Sequence, residues 1–278
     1  MMTVTINDIR QAIKLLELSG MPVCIHSSLR SFGLVEHGAE TIVAGFLAEG
    51  CTVLVPAFSD AAYAIALPDL PHMRPARNGI HYERLAERFY MGGNQVYTPK
   101  SREINLTMGL IPKYIVEHPQ SVRGNHPLTS FAALGPLAQT LVEGQEAQDV
   151  YAPLHTLTLM HGSIILMGVG LERMTFLHYA EQVAGRSLFV RCANGPDHRP
   201  MLVSLGGCSE GFGHLATTLA PMRQTLMVGQ SSWQAFAAGE TLQAASQAIK
   251  AQPSITHCAD PDCERCNDAI KGGPLLIM

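Results

Sequence analysis

The stretch 164-IILMGVGLERMTFLHYAEQVAG-185 reads as a strand, a glycine turn and a helix in immediate succession. Ile164 to Met167 form an apolar run without alternation, the pattern of a strand buried on both faces and hence of a sheet flanked by helices. Gly168 and Gly170 let the backbone turn tightly and approach a ligand. The helical segment that follows carries His178 and Glu181 three residues apart, on one face. An imidazole beside a carboxylate at the carboxyl end of a buried strand is where an open α/β sheet keeps its chemistry. The same spacing also suits a solvated surface pair, so the rest of the chain has to decide between the two.

Working outward, Pro22 to His26 is a short apolar strand that delivers Ser27 and Ser28 at its carboxyl end. A helix follows from about Ala39 to Leu47, and Cys51 to Pro56 form a second buried strand with Asp60 just past its end. Two strand-to-helix passages in a row predict a parallel sheet with right-handed crossovers. A serine pair at such a turn offers hydroxyls and backbone N–H groups to phosphate or amide oxygens, or simply caps the turn. A first helix, capped by Asn7 or Asp8, is expected to run to about Leu18. Residues 61–102 are broken by Pro68, Pro71, Pro75 and Gly92-Gly93, the texture of a lid or substrate-binding wall. A helix is expected from about Met108 to Glu117. Pro127 then holds His126 extended, Ser130 to Gly135 read as a strand, and a helix bearing Glu143, Glu146 and Asp149 leads back to Ile164. The expected architecture is one α/β domain over residues 1–278, with an insertion at about 61–102 and a small cysteine-containing appendage at about 255–278.

Composition narrows the function. Of 278 residues, 47% are hydrophobic and 15% charged, which supports a sizeable core. A formal charge of −4 argues against nucleic acid as partner. No apolar run approaches the roughly 20 residues that span a bilayer, and the first residues read as an amphipathic helix rather than a signal segment. Seven cysteines, odd in number and clustered late, do not make a secreted disulfide framework. A cytoplasmic protein with reduced thiols and no membrane role is the expectation. Among those cysteines, Cys263-x-x-Cys266 has zinc-knuckle spacing, with His257 or Cys258 as a third ligand and Cys192 or Cys208 as a fourth. Such a zinc would be structural, because a closed thiolate site leaves no open position; buried idle thiols are the alternative.

The segments HSSLRSFG (26–33), VLVPAFSD (53–60), RGNHPLTSFAALGPLA (123–138), ILMGVG (165–170) and LHYAE (177–181) occur in the order seen in the aminoglycoside 3-N-acetyltransferase family, which the chain resembles from about residue 5 to about 215. The tail CERCNDA (263–269), with His257 before it, resembles the apramycin-acetylating branch, pointing to His257, Cys263 and Cys266 as metal ligands. The resemblance implies a three-layer α/β/α fold and acetyl-CoA as cosubstrate. It implies acetyl transfer to the 3-amine of a deoxystreptamine antibiotic, and hence resistance. It places His178 on the catalytic histidine and Glu181 on its partner carboxylate. His26, Ser27 and Ser28, with Leu29 beside them and Thr175 facing the thioester, fall on the coenzyme side. His126, Ser130 and Asp60 fall on the acceptor side. The chain departs from the family at Met174 and Phe176, where members carry polar residues around the threonine, and at Ala152-Pro153.

The chemistry expected of these residues is direct transfer in a ternary complex, with His178 taking a proton from the attacking amine and donors near Ser27, Ser28 or Thr175 holding the oxyanion. Three rivals stand beside it. One is a cysteine acyl-enzyme on Cys24 or Cys51, neither of which lies at a strand's carboxyl end. The others are acetylation of another small amine and a non-catalytic coenzyme-A-binding module. A homodimer is an open expectation.

Overall fold

The computed structural model describes residues 3–65, 95–198 and 200–274. The unbroken apolar run becomes β6 (Ser163–Met167), buried at every position. Beside it lie β1 (Pro22–Ser27) and β2 (Thr52–Pro56), and the pairs β1·β6 and β1·β2 are parallel, with Ile25 opposite Ile165 and Val23 opposite Val53. Antiparallel strands extend this parallel centre on both sides. β5 (Phe131–Leu134) joins β2 and is followed by β4 (Val122–Arg123); β10 (Ser231–Ala237) joins β6 and is followed by β9 (Gln224–Val228). The seven strands run in the order β4-β5-β2-β1-β6-β10-β9.

Alternation along each strand builds two cores. Val23 and Ile25 of β1, Val53 and Val55 of β2, and Ile165 and Met167 of β6 face the helices Ile6–Leu15, Ala39–Ala48 and Leu110–Glu117. Cys24, Leu54, Ile164 and Leu166 face the other way, toward Ala138–Val142, Ala152–Leu159, Phe176–Val183 and Ala238–Ala251. The result is a three-layer α/β/α sandwich, each layer existing because the period-two strand gives both faces something apolar to bury. On the first face Trp233 is fully buried, stacked on Phe46 at 5.9 Å and edge-on to Phe32 at 6.0 Å. Burial of rings of this size contributes about 1.5–3 kcal/mol each.

Local details differ from the sequence expectations. The first helix is capped by Thr5, not Asn7 or Asp8: the Asp8 carboxylate accepts from the Thr5 backbone N–H at 2.8 Å, so Asp8 is the reciprocal half of a capping box. It ends at Leu15 rather than Leu18. The expected helix after Gly135 is two helices, with Glu143, Glu146 and Asp149 in the connection between them. A second sheet, β3-β7-β8, was not foreseen; β3 (Ala64–Ile65), β7 (Phe189–Asn194) and β8 (Pro200–Leu205) are antiparallel and pack with Tyr63, Tyr97 and Leu128. Most of the expected insertion, including Asp69, Glu83 and Glu87, lies outside the described residues. Among the described residues no helix is long and apolar enough to cross a membrane.

Candidate active site

The helix Phe176–Val183 buries Phe176, Leu177, Ala180 and Glu181 against the second core. That packing fixes the angle at which His178, one position off the buried stripe, meets Glu181. The two are a contact pair, not solvated: His178 Nδ1 lies 2.8 Å from Glu181 Oε2, and their side chains are 11% and 9% exposed. A carboxylate accepts and does not donate, so the ring proton belongs on Nδ1. The lone pair is then on Nε2, which has no protein partner among the described residues.

Glu181 is itself anchored. Its Oε1 accepts from the Thr256 hydroxyl at 2.9 Å and from the Arg186 guanidinium. Arg186 is buried, and also donates to Thr256 Oγ1 at 2.7 Å, to the Gly273 carbonyl at 3.2 Å and to the Pro253 carbonyl. A buried ion pair holds its geometry when every remaining donor is satisfied in this way. Three neighbours pin the imidazole. Phe212 packs edge-on at 4.7 Å, Tyr151 is buried alongside, and Gly206 approaches so closely that a Cβ there would lie 2.6 Å from His178 Cγ and against Tyr151 Oη. Burial pushes the Tyr151 phenol well above its ordinary range, with the Glu181 charge adding to the effect, so it stays protonated.

Sequence reading missed Arg186, Thr256, Tyr151, Gly206 and Phe212. Arg186 stands five residues after Glu181 and was legible as a charge near a charge. Gly206-Gly207 is a glycine pair closing a strand, a signal of close backbone approach. Thr256 and Phe212 carry no local signal, because only the return of residues 206–256 past the helix brings them there.

His178 opens on a cavity of about 240 Å³. Phe58, Leu128, Phe189 and Leu205 form its apolar wall, Thr129, Tyr151 and Thr175 its polar lining, and Asp60, Arg191 and Arg265 its charges. Of the expected site residues, His178, Thr175 and Asp60 therefore share one cavity. Asp60 is tied to Asn105, whose side-chain amide donates to Oδ1. Met174 and Phe176, where the chain departs from the resembled pattern, are fully buried core residues and do not line the cavity.

His26, Ser27, Ser28 and Leu29 lie outside that lining, at the carboxyl end of β1. Burial holds the His26 imidazole neutral, its pKa lowered from 6.5 to about 3. The Ser28 N–H, expected as an oxyanion donor, is already given to the Met167 carbonyl at 2.9 Å. His126 and Ser130, expected beside the acceptor, are fully buried behind the cavity wall. His126 Nε2 meets the Ser204 carbonyl at 2.8 Å, its Nδ1 accepts from the Thr129 N–H at 3.0 Å, and desolvation lowers its pKa to about 4. Ser130 Oγ bonds to Arg123 Nε and the Ala57 carbonyl, each at 2.9 Å. Cys24 and Cys51, the acyl-enzyme rivals, are fully buried in the cores with thiols raised by desolvation, and neither lines the cavity.

The late cysteines do converge. Cys208, Cys258, Cys263 and Cys266 bring their Sγ atoms within 4.8 Å of one another. Zinc–thiolate bonds of about 2.3 Å in a tetrahedron put sulfurs roughly 3.8 Å apart, so this set fits the ion. The expected ligand His257 is not part of it: its Nδ1 faces the Cys258 carbonyl at 2.8 Å and its Nε2 the Asn267 side chain at 3.3 Å, and Cys258 stands in its place. Cys192 is in β7, and Cys208 is the fourth member.

A family model described as aminoglycoside 3-N-acetyltransferase matches residues 24–250. An aminoglycoside N(3)-acetyltransferase III from Salmonella sp is 32% identical over 180 residues, 63% of this chain and 59% of that protein. A type VII enzyme from Streptomyces paromomycinus is 30% identical over 172 residues, 59% of this chain and 55% of its own length. The matched part of the chain thus spans less than two thirds of these relatives. Among solved structures, the apoenzyme of AAC(3)-IVa superimposes with a TM-score of 0.75 at 21% identity, covering 98% of this chain and 99% of that one. AAC-IIIb, solved with CoASH, gives 0.73 at 18% identity over 90% of this chain and 98% of that one. A family match running from β1 into the helix after β10 decides the assignment: the chain belongs to the aminoglycoside 3-N-acetyltransferase family.

Proposed function

We propose that the protein is an N-acetyltransferase that uses acetyl-CoA to acetylate the 3-amine of a deoxystreptamine aminoglycoside, with His178 as general base, conferring resistance. The observation that carries this reading is the orientation of His178: Nδ1 is fixed on Glu181, and Nε2 is left with its lone pair on a ring that lines the cavity. An alkylamine is protonated at neutral pH and becomes a nucleophile only when that proton leaves. His178 Nε2 takes it, and Glu181, held by Arg186 and Thr256, stabilises the imidazolium that results. Thr175, one of three hydroxyl-bearing residues in the lining with Thr129 and Tyr151, is assigned to donate to the oxygen that gains charge as the amine attacks the thioester. Collapse of that intermediate breaks the C–S bond, and coenzyme A leaves as the thiol, taking the proton held on His178. His26, Ser27, Ser28 and Leu29 are assigned to the coenzyme, Asp60 to the acceptor, and His126 and Ser130 to the buried support of the acceptor wall. The whole chain acts as one acetyltransferase domain in the cytoplasm, as a monomer or homodimer, without nucleic acid or membrane as partner.

The test is release of coenzyme A thiol from acetyl-CoA against amines with and without a free deoxystreptamine 3-amine. His178→Ala should lower turnover by about 10²–10⁴-fold while acetyl-CoA binding stays within threefold. Equal loss of turnover and binding would refute the base role. Turnover on small amines lacking the deoxystreptamine ring would move the acceptor assignment.

We also propose a structural zinc on Cys208, Cys258, Cys263 and Cys266, supported by the convergence of four sulfurs. Metal analysis should give about one zinc per chain, retained in His257→Ala and lost in Cys208→Ser. A ratio near zero in the unmodified protein would sink the assignment.

A further inference from the structure

Two stretches of chain hold the His178–Glu181 pair, and each carries a member of the cysteine cluster two residues from the point of contact. The first is 206–212. Gly206 brings its backbone against the His178 ring, Phe212 packs edge-on to that ring at 4.7 Å, and Cys208 lies between them in the chain. The second is 256–258. Thr256 donates to Glu181 Oε1 at 2.9 Å, and Cys258 follows it. The two stretches pack directly on one another: a Cβ on Gly211 would collide with the carbonyl oxygens of Thr256 and His257. Behind the clamp, Glu181, Arg186 and Thr256 share a gap of about 10 Å³ with Gly207, Cys208 and Cys266, room for no more than about one water. The Cys258 N–H points to Cys266 Sγ at 3.5 Å, tying the second stretch to the helix Glu264–Lys271.

The first stretch opens with two glycines, which fix little of their own backbone. The second is part of the connection between the turn Pro253–Thr256 and the helix Glu264–Lys271. Four thiolates at about 2.3 Å from one zinc ion would hold both at set separations. We propose that Cys208 and Cys258 are positioning residues for the transfer: through the metal they share, Cys208 sets the imidazole of His178 and Cys258 sets the carboxylate of Glu181. The proposal rests on the acetyl-transfer and zinc readings above and goes beyond both, because a zinc that only stapled the tail would leave the pair unmoved.

The experiment compares the full chain with zinc, the same chain stripped by a chelator under reducing conditions, the stripped chain given zinc back, Cys208→Ser and Cys258→Ser. Metal content, far-UV circular dichroism, kcat, KM and the downfield proton resonance of His178 Nδ1–H (identified by its absence in His178→Ala) are read on each. Stripping and both substitutions should lower kcat about 10²-fold, the effect of moving a catalytic group by about 1 Å. KM for acetyl-CoA should stay within threefold and the dichroism should not change. The Nδ1–H resonance should broaden or vanish, and added zinc should restore it together with kcat in the stripped chain but not in the serine variants. An unaltered resonance with kcat within threefold after stripping would overturn the proposal and leave the zinc assignment standing. Joint loss of dichroism, acetyl-CoA binding and kcat in the stripped chain would overturn it too, by showing that the metal holds the whole fold. A zinc-to-chain ratio near zero in the unmodified protein would sink the zinc reading and this proposal with it. Zinc binding without turnover on any amine would count against the acetyl-transfer reading alone, because the resonance is read without substrate and still decides the positioning.

Discussion

Replacing Gly206 by alanine adds a single methyl group at the point where the backbone after β8 meets the His178 ring. A Cβ at this position lies 2.6 Å from His178 Cγ and 2.9 Å from Cδ2. Carbon atoms in contact prefer about 3.5–4.0 Å, so the methyl and the ring must separate by roughly 1 Å. Gly206 does not occupy the left-handed region, so alanine costs nothing in backbone conformation and the effect is purely one of contact. If the ring yields, a displacement of about 1 Å is worth on the order of 10² in rate. If the chain between Gly206 and Cys208 yields instead, overpacking costs about 1–3 kcal/mol of stability. Turnover measured as thiol release should therefore fall about 100-fold in Gly206→Ala, with acetyl-CoA binding little changed. Tyr151→Phe combined with Gly206→Ala removes the second clash, against the phenol oxygen, but leaves the contact with the ring. The double variant should recover stability without recovering turnover. Turnover within threefold of the unmodified protein in Gly206→Ala would refute the claim that this backbone sets the position of the imidazole.

Glu181→Gln keeps the shape but removes the charge that orients Nδ1–H and pairs with Arg186; kcat should fall about 10²–10⁴-fold, and a fall of less than threefold would disprove the orienting role. Arg123 is a buried cation that donates to the carbonyls of Ala57 and Ser101, each at 2.7 Å, of Glu103 at 2.9 Å, and to Ser130 Oγ. Arg123→Met strands these acceptors and should cost about 3–5 kcal/mol in urea unfolding, whereas a cost below about 1 kcal/mol would show that water replaces the guanidinium. His26 and His126 are held neutral by burial, their folded pKa values of about 3 and about 4 lying below the 6.5 of the unfolded chain. The unfolded chain therefore takes up protons first: stability is fully present above pH 6.5 and drains away as pH falls toward 4 and 3, by about 2 kcal/mol per histidine between pH 7 and 5. Unfolding free energies at pH 7 and pH 5 check this, and His126→Gln should remove about half of the difference; equal slopes in the two proteins would rule out the histidines as its source.

The centre of the fold was legible because its signals are local. An apolar run without alternation at Ile164–Met167 and two further apolar segments at Pro22 and Thr52 leave little choice but three parallel strands buried on both faces. The His178–Glu181 pair was legible as a spacing, and its burial was not. The antiparallel flanks were harder: Phe131–Leu134 looks the same whichever way it pairs, and direction is set by the short return from the helix Leu110–Glu117. The sheet β3-β7-β8 escaped because Ala64 and Ala193 meet across more than a hundred residues of chain. The cysteine cluster shows the same limit in one site. The Cys263-x-x-Cys266 spacing is local and was read, the choice between His257 and Cys258 turns on which side chain the chain presents inward, and the fourth thiol at Cys208 is distant in sequence. Met174 and Phe176 look like replacements in an acceptor pocket when read in line, but the turn before the helix carries Met174, and the first residue of the helix carries Phe176, into the core.

The clamp on Glu181 has a consequence for how the protein is made. Thr256, the Pro253 carbonyl and the Gly273 carbonyl all join Arg186 and Glu181 from the far end of the described chain. During synthesis the strands β1, β2 and β6 and the helix bearing His178 emerge well before these partners do. A nascent chain stopped short of Pro253 has its sheet and its imidazole but a carboxylate and a guanidinium whose remaining donors and acceptors face nothing. The clamp is thus completed last, as chain from Pro253 onward leaves the ribosome and docks beside the helix bearing His178.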